Sequence, residues 1–246
     1  IPDAQEILRP YQPDEFTLHL WHFDTLFAPV PNAADPVHPL LGLHNSANLW
    51  KPGPAGFGTA LDTHTGTAPN RGIVTYAATL GSATTPETPP TFRWHGEDGS
   101  FTLEALVKLG SMPGTWSTAG QIICMEGDGD GGSDRVFQFR INPSGGTPTL
   151  EFFPLASGVS GLIQGALPTT GPHAPNTTDW FHIAVTYDGI PGTAGNLRAF
   201  WTRFSPESRA ANLIATGTLN ASFSNQQGDF SIGNEARATG GSSEFF

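Results

Sequence analysis

One cysteine in 246 residues, Cys124, leaves no internal disulfide to hold the fold. A chain of this length buries roughly 70% of the surface its unfolded form exposes, so it can fold without a covalent staple. Cys124 sits in the apolar stretch Gln121-Ile122-Ile123-Cys124-Met125, where a thiol reads as buried and inert. Charge is scarce as well: Asp, Glu, Lys and Arg make up 13% of the chain, against 37% hydrophobic residues. That mixture excludes a charge-rich disordered chain, a coiled coil and a simple helical bundle. Basic residues are the rarer sign, 11 against 22 acidic, for a formal net charge of -11. They form no stripe, so recognition of nucleic-acid phosphates is excluded, and an anionic membrane surface is a poor partner. No run of 18 apolar residues occurs, and no transmembrane span is predicted. The first residue is Ile1 rather than Met, consistent with removal of a signal peptide.

What is abundant is Gly (30) and Pro (22), about a fifth of the chain and without a collagen period. Short strands joined by turn-rich loops follow from that. Residues 1–15, with Pro2, Pro10 and Pro13, read as an extended N-terminal arm, and residues 16–246 as one domain. The stretch Phe16–Phe23 reads as the first strand. Gly56–Asp62 and Ile73–Tyr76 are short strand candidates inside a long turn-rich region that holds Trp50 and Trp94. Phe101–Leu109 alternates most cleanly: Phe101, Leu103, Ala105, Val107 and Leu109 share one face, and Thr102, Glu104 and Lys108 the other. Further strands are predicted at Gln121–Glu126, Val136–Ile141, Thr149–Pro154, Trp180–Tyr187, Leu197–Phe204, Leu213–Leu219 and Phe230–Gly233. The predicted fold is all-β, a two-sheet antiparallel jelly-roll sandwich.

Several blocks then resemble the laminin-G-like, concanavalin-A-like jelly-roll superfamily, in its secreted bacterial form. They are Leu20-Trp21-His22-Phe23-Asp24, Gly56–Asp62, Phe101–Lys108, Asp179–Gly189, Leu197–Trp201 and Phe230–Asn234, spread over about residues 17–234. The resemblance implies a concanavalin-A-like sandwich with a further closing strand after the Ile232-Gly233 block. The chain ends instead at Gly240–Phe246. An open C-terminal edge that invites strand addition by another segment or a partner chain is therefore expected. The resemblance also implies a calcium ion on the rim, with Asp24 as the best ligand and Asp35 nearby. The alternative for Asp24 is a carboxylate anchoring a turn through backbone N–H groups. The acidic, Gly-rich run Glu126–Asp134 offers Asp128 and Asp130 as further calcium candidates, although it lacks the spacing of a helical calcium loop.

Catalytic signatures are missing. There is no Glu-x-Asp-x-x-Glu strand, no Gly-x-Ser-x-Gly elbow and no His-x-x-x-His pair. Glu104 and Glu151 read as outward-facing strand residues. His182 alternates away from Phe181, Ile183 and Val185, toward solvent or a groove. Trp50, Trp94, His95 and Trp116 are the candidate platform for a glycan, since aromatic faces beside polar groups suit sugar rings. Trp21, Trp180 and Trp201 are assigned to the core.

These readings add up to a non-catalytic binding or adhesion module, secreted, at the cell surface or periplasmic, that recognises glycan or another extracellular protein. The alternatives are a polysaccharide-active hydrolase or lyase on the same fold, and a structural accessory domain. Convergent carboxylates with a Tyr or His in a groove would favour the enzyme.

Overall fold

A computed structural model describes residues 10–25, 29–40, 42–44, 50–63, 73–75, 99–126, 135–143, 146–156, 158–208, 210–221, 223 and 230–233. Thirteen strands are present among them: β1 (Gly42–His44), β2 (Trp50–Pro52), β3 (Thr59–Leu61), β4 (Ile73–Thr75), β5 (Phe101–Val107), β6 (Gly120–Glu126), β7 (Arg135–Asn142), β8 (Thr149–Pro154), β9 (Ile163–Ala166), β10 (Phe181–Tyr187), β11 (Leu197–Arg203), β12 (Leu213–Gly217) and β13 (Phe230–Ile232). A short 3-10 turn occupies Pro113–Thr115.

The strands form three sheets, in the orders β1-β4-β13-β6-β7-β8-β9, β12-β11-β10-β5 and β2-β3, and their pairings are antiparallel. The arrangement is a sandwich, with β9 packed across β11 and β12. Backbones come close there: Ile214 fills the space that a Cβ on Gly165 would take, 2.6 Å from its Cδ1. The expectation of two sheets is corrected to three, because Trp50–Pro52 and Thr59–Leu61 pair with each other as a separate hairpin. Residues 234–246, on which the expected open C-terminal edge rests, lie outside the described residues.

Pleating explains the core. In β10, Phe181, Ile183, Val185 and Tyr187 alternate to one face and are buried. Antiparallel register sets Phe181 against Val107 on β5 and Ile183 against Trp201 on β11. The Phe181 and Trp201 rings stack with centroids 4.7 Å apart. Phe137 and Phe152 of the larger sheet stack at 5.5 Å, and Phe223 meets Phe152 edge-on at 5.9 Å. Such pairs add about 0.5–1.5 kcal/mol beyond the area they bury. Trp201 also donates from Nε1 to the His173 carbonyl at 3.0 Å, which satisfies its one polar atom inside the core.

Two sequence readings change here. Phe16–Phe23 is not a strand: residues 10–25 run as turns and irregular chain. A turn at Asp14–Thr17, closed by Thr17 N–H to the Asp14 carbonyl at 3.1 Å, starts that segment. Glu151 is not outward-facing but 0% exposed. Arg140 Nε donates to its Oε2 at 2.9 Å, while Asn142, Thr149 and Gln164 donate to Oε1 at 3.0, 3.0 and 2.6 Å. Four donors fill the carboxylate's acceptor sites, which is what a buried charge requires. Cys124 is buried as expected, with Sγ 2.9 Å from Ser231 Oγ.

Two stability losses are expected. Trp201→Ala should cost about 3–5 kcal/mol, the range for a large aromatic removed from a packed core. Glu151→Ala should cost about 3–5 kcal/mol, because it removes the carboxylate from a largely buried ion pair with Arg140. Urea titration followed by tryptophan fluorescence checks both, and a change below 1 kcal/mol in either variant would contradict this account of the core.

Candidate functional site

The pleat that buries Phe181 and Ile183 turns His182 to the opposite face of the four-stranded sheet. On the neighbouring strand it turns Glu104 the same way, because Glu104 pairs with Ala184 and Leu106 with His182. The two side chains meet diagonally across the strands: His182 Nε2 lies 3.0 Å from Glu104 Oε2. Their side chains are 21% and 43% exposed, so the pair is accessible to a ligand. A carboxylate oxygen accepts, so the imidazole donates through Nε2 and its Nδ1 lies outside this pair. Tyr11 lies beside them, its ring centroid 6.3 Å from that of His182. Burial, and then the negative charge of Glu104, raises the Tyr11 phenol above its ordinary value. Tyr11 therefore remains a protonated donor at neutral pH.

These residues line a cavity of about 840 Å³ between the segment 10–23 and β5. Pro10–Gln12, Asp14 and residues 16–23 form one side, and Phe101–Leu106, Trp180 and His182 belong to the sandwich side. Aromatic surfaces are frequent: Tyr11, Phe16, Trp21, Phe57 and Trp180 all reach the lining. Phe16 is 82% exposed. Asp14 is held at the start of its turn, its Oδ1 accepting from Thr17 Oγ1 at 2.7 Å and from Phe16 N–H at 3.0 Å. Those bonds, that of Thr17 first, hold the Asp14 carboxyl below the usual carboxylate range, so it is ionised.

The segment that walls the cavity lacks strand pairing and is fixed by side chains instead. Asn32, buried, accepts at Oδ1 from the backbone N–H groups of Leu20, Ala34 and Asp35 at 3.0–3.1 Å. Its Nδ2 lies 2.8 Å from His19 Nδ1. At the far end, Thr59 Oγ1 donates to the Phe23 carbonyl at 2.6 Å and Thr59 N–H to Asp24 Oδ1 at 3.2 Å. Phe23 has φ 56°, an uncommon value for a residue with a side chain. Gly58, at φ +73°, is equally constrained: a Cβ there would collide with the Asp24 carboxylate.

The residues expected to bind ligand are scattered. Trp50 is half-buried, tilted against Phe23 at 6.4 Å, and packs on the core. Trp116 also packs on the core, with Nε1 donating to Ser111 Oγ at 2.8 Å. Trp94 and His95 lie outside the described residues, as do Asp128 and Asp130. Asp24 binds the backbone of Thr59, the turn-anchoring alternative drawn from the sequence. Asp35 pairs with His38, Oδ2 to Nδ1 at 2.7 Å. Among the described residues no group of three or more His, Cys, Asp or Glu side chains is placed to hold a metal ion. None of their helices is long and apolar enough to cross a membrane.

Sequence reasoning separated the members of the groove. It set His182 and Glu104 on outer strand faces but gave no reason to join them, because the two residues are 78 positions apart in the chain. Tyr11, in the N-terminal arm, carried no signal at all.

No known family model matches the chain, and no curated protein does. Among solved structures, the enzymatically active domain of tailspike protein 2 from bacteriophage CBA120 is similar at 14% identity and a TM-score of 0.42, over 73% of this chain and 23% of that one. Full-length tailspike protein 2 of an Escherichia coli O157:H7 bacteriophage gives 12% identity and a TM-score of 0.41, over 73% of this chain and 20% of that one. The chain thus spans about a fifth to a quarter of the length of those tailspike chains. The non-catalytic reading, and with it the preference against an enzyme, is corrected. The groove brings His182, Glu104 and Tyr11 together, the carboxylate with a His and a Tyr that the sequence reading set down as favouring an enzyme.

Proposed function

We propose that this chain is a polysaccharide-cleaving enzyme working by proton transfer at the groove between residues 10–23 and the four-stranded sheet. The observation that carries the reading is the His182–Glu104 hydrogen bond of 3.0 Å, set in a cavity that Tyr11 also lines. A volume of about 840 Å³ falls within the roughly 300–1,000 Å³ of ligand sites, and its lining alternates aromatic faces with polar groups. Sugar rings have the same dual character, with apolar C–H faces and hydroxyl edges. His182 moves the proton. Glu104 fixes the imidazole's orientation through its hydrogen bond to Nε2. Tyr11, kept protonated, donates to a substrate oxygen. A polysaccharide substrate puts the action outside the cell, secreted or at a surface.

His182→Ala and Glu104→Gln should each lower kcat/KM on a cleaved polysaccharide by roughly 10²- to 10⁴-fold. Because both side chains are partly exposed on a strand face, stability should shift by no more than about 0.5 kcal/mol. Reducing-end release over a polysaccharide panel, with urea titration of each variant, measures the two effects. Wild-type rates in both variants would remove the groove from the chemistry. A separate pH effect follows from Tyr11. The unfolded chain releases the phenol proton near its ordinary value of 10.0, whereas the folded chain retains it to higher pH. Stability therefore falls as pH rises through that range, and Tyr11→Phe should flatten the fall in alkaline urea titrations. An identical alkaline slope in the variant would show that Tyr11 is not held as described.

A further inference from the structure

We infer that the groove takes an uncharged polysaccharide and opens it by hydrolysis, with Asp14 as the base and the His182–Glu104 pair as the acid. This rests on the catalytic reading above and adds to it the substrate class, the reaction type and a second carboxylate.

The first argument is charge. Among the described lining residues, Asp14 and Glu104 carry carboxylates and none is Lys or Arg. The whole chain bears a formal charge of -11. A uronate bound here would bring its own carboxylate beside two others with no described lining cation to offset them, and like charges repel. An uncharged glycan meets no such penalty and gains from Tyr11, Phe16 and Trp180, whose faces suit pyranose C–H surfaces.

The second argument is reaction class. Eliminative cleavage needs a sugar carboxylate to acidify the adjacent C–H and a cation or amide group to neutralise it. Gln12 is the single amide side chain among the described lining residues, two positions from Asp14 in the chain. Hydrolysis needs a base and an acid, and the groove offers the Asp14 carboxylate from the segment and the His182 imidazole from the sheet. Asp14 on the segment side accepts two hydrogen bonds at Oδ1, which leaves Oδ2 for a water. His182 on the sheet side is held by Glu104 through Nε2, which leaves Nδ1 for a substrate oxygen.

The step balances as follows. Water's oxygen bonds to the anomeric carbon while the glycosidic C–O bond breaks. Asp14 takes the proton that the water loses, and the departing oxygen takes the proton from Nδ1 of the His182 imidazolium. The proton on Asp14 then returns to His182 through solvent, and both groups regain their starting states.

The test uses the whole chain with two panels: uncharged polymers (dextran, mixed-linkage β-glucan, galactomannan) and acidic ones (polygalacturonate, alginate). Reducing ends are counted, and unsaturated uronide is read by its ultraviolet absorbance. The expected result is reducing ends from an uncharged polymer, no unsaturated product, and a rate insensitive to ionic strength, since no charge attraction is there to be screened. Unsaturated uronide from an acidic polymer would overturn this inference while leaving the enzyme reading intact. No cleavage of either panel would overturn the enzyme reading itself. Asp14→Asn keeps the turn-forming side chain, and should lower kcat by roughly 10²- to 10⁴-fold with KM little changed. Added azide should restore turnover as a glycosyl azide, which a merely structural Asp14 would not allow. An Asp14→Asn enzyme as fast as the parent would exclude Asp14 from the reaction.

Discussion

The register that sets Phe181 against Val107 and Tyr187 against Phe101 controls both the interior of the sandwich and the chemistry of its outer face. A pleated strand sends alternate side chains to opposite faces, so a fixed register fixes both sets at once. With Phe181, Ile183 and Val185 buried and the Phe181–Trp201 stack in place, His182 has to face outward, and the same pairing carries Glu104 to its side. A slip of one residue would bury an imidazole and a carboxylate and expose the aromatic row. The core's cohesion is thus what holds the proton-transfer pair at hydrogen-bonding distance.

The other side of the groove is built on a different principle. Residues 10–23 have no place in the described sheet ladders, so their position depends on particular side chains: Asn32 at Leu20, Thr59 at Phe23, and the Asp14 turn. Asn32 shows how far such anchoring goes. Its Oδ1 accepts three backbone N–H groups, which fixes the amide's orientation and makes Nδ2 the donor to His19. The rigid sheet positions one proton-carrying group, and a hydrogen-bonded strap positions the other. Small displacements of the strap would alter Tyr11 and Asp14 together while leaving His182 and Glu104 in place.

How much of this could be read in the chain depends on which interactions are periodic. Alternation located β5 to β8 and β10 to β13 to within a few residues, because burying one face of a strand imposes a pattern that survives in sequence. It failed at Phe16–Phe23, whose apolar and aromatic residues imitate a strand but line a cavity instead. It missed β9, where Gln164 and Gly165 interrupt the apolar pattern and the glycine admits Ile214 from the facing sheet. The two glutamates separate the legible from the illegible most clearly. Glu104 and Glu151 each stand alone amid apolar neighbours on a strand, and each alternates away from the core. Glu151 is enclosed by donors from its own and adjacent strands, on Arg140, Asn142, Thr149 and Gln164, and is fully buried. Glu104 meets the His182 imidazole, with Tyr11 close by, at the wall of the cavity. Nothing local in the sequence encodes that difference, since the partners arrive from other strands.

The same contrast bears on why the groove and not the Arg140–Glu151 layer is the reactive place. A carboxylate with all its acceptor sites filled is stabilised in one state and costs several kcal/mol to disturb. Catalysis needs groups whose proton affinities are set but whose bonds are incomplete until substrate arrives. Asp14 has two donors on one oxygen, His182 one partner on one nitrogen, and Tyr11 no fixed acceptor in its described surroundings. Each retains a position for a water or a sugar oxygen. Partial satisfaction beside a rigid sheet is tolerable because the site is open enough for water to complete it, and that water is what a hydrolytic reaction consumes.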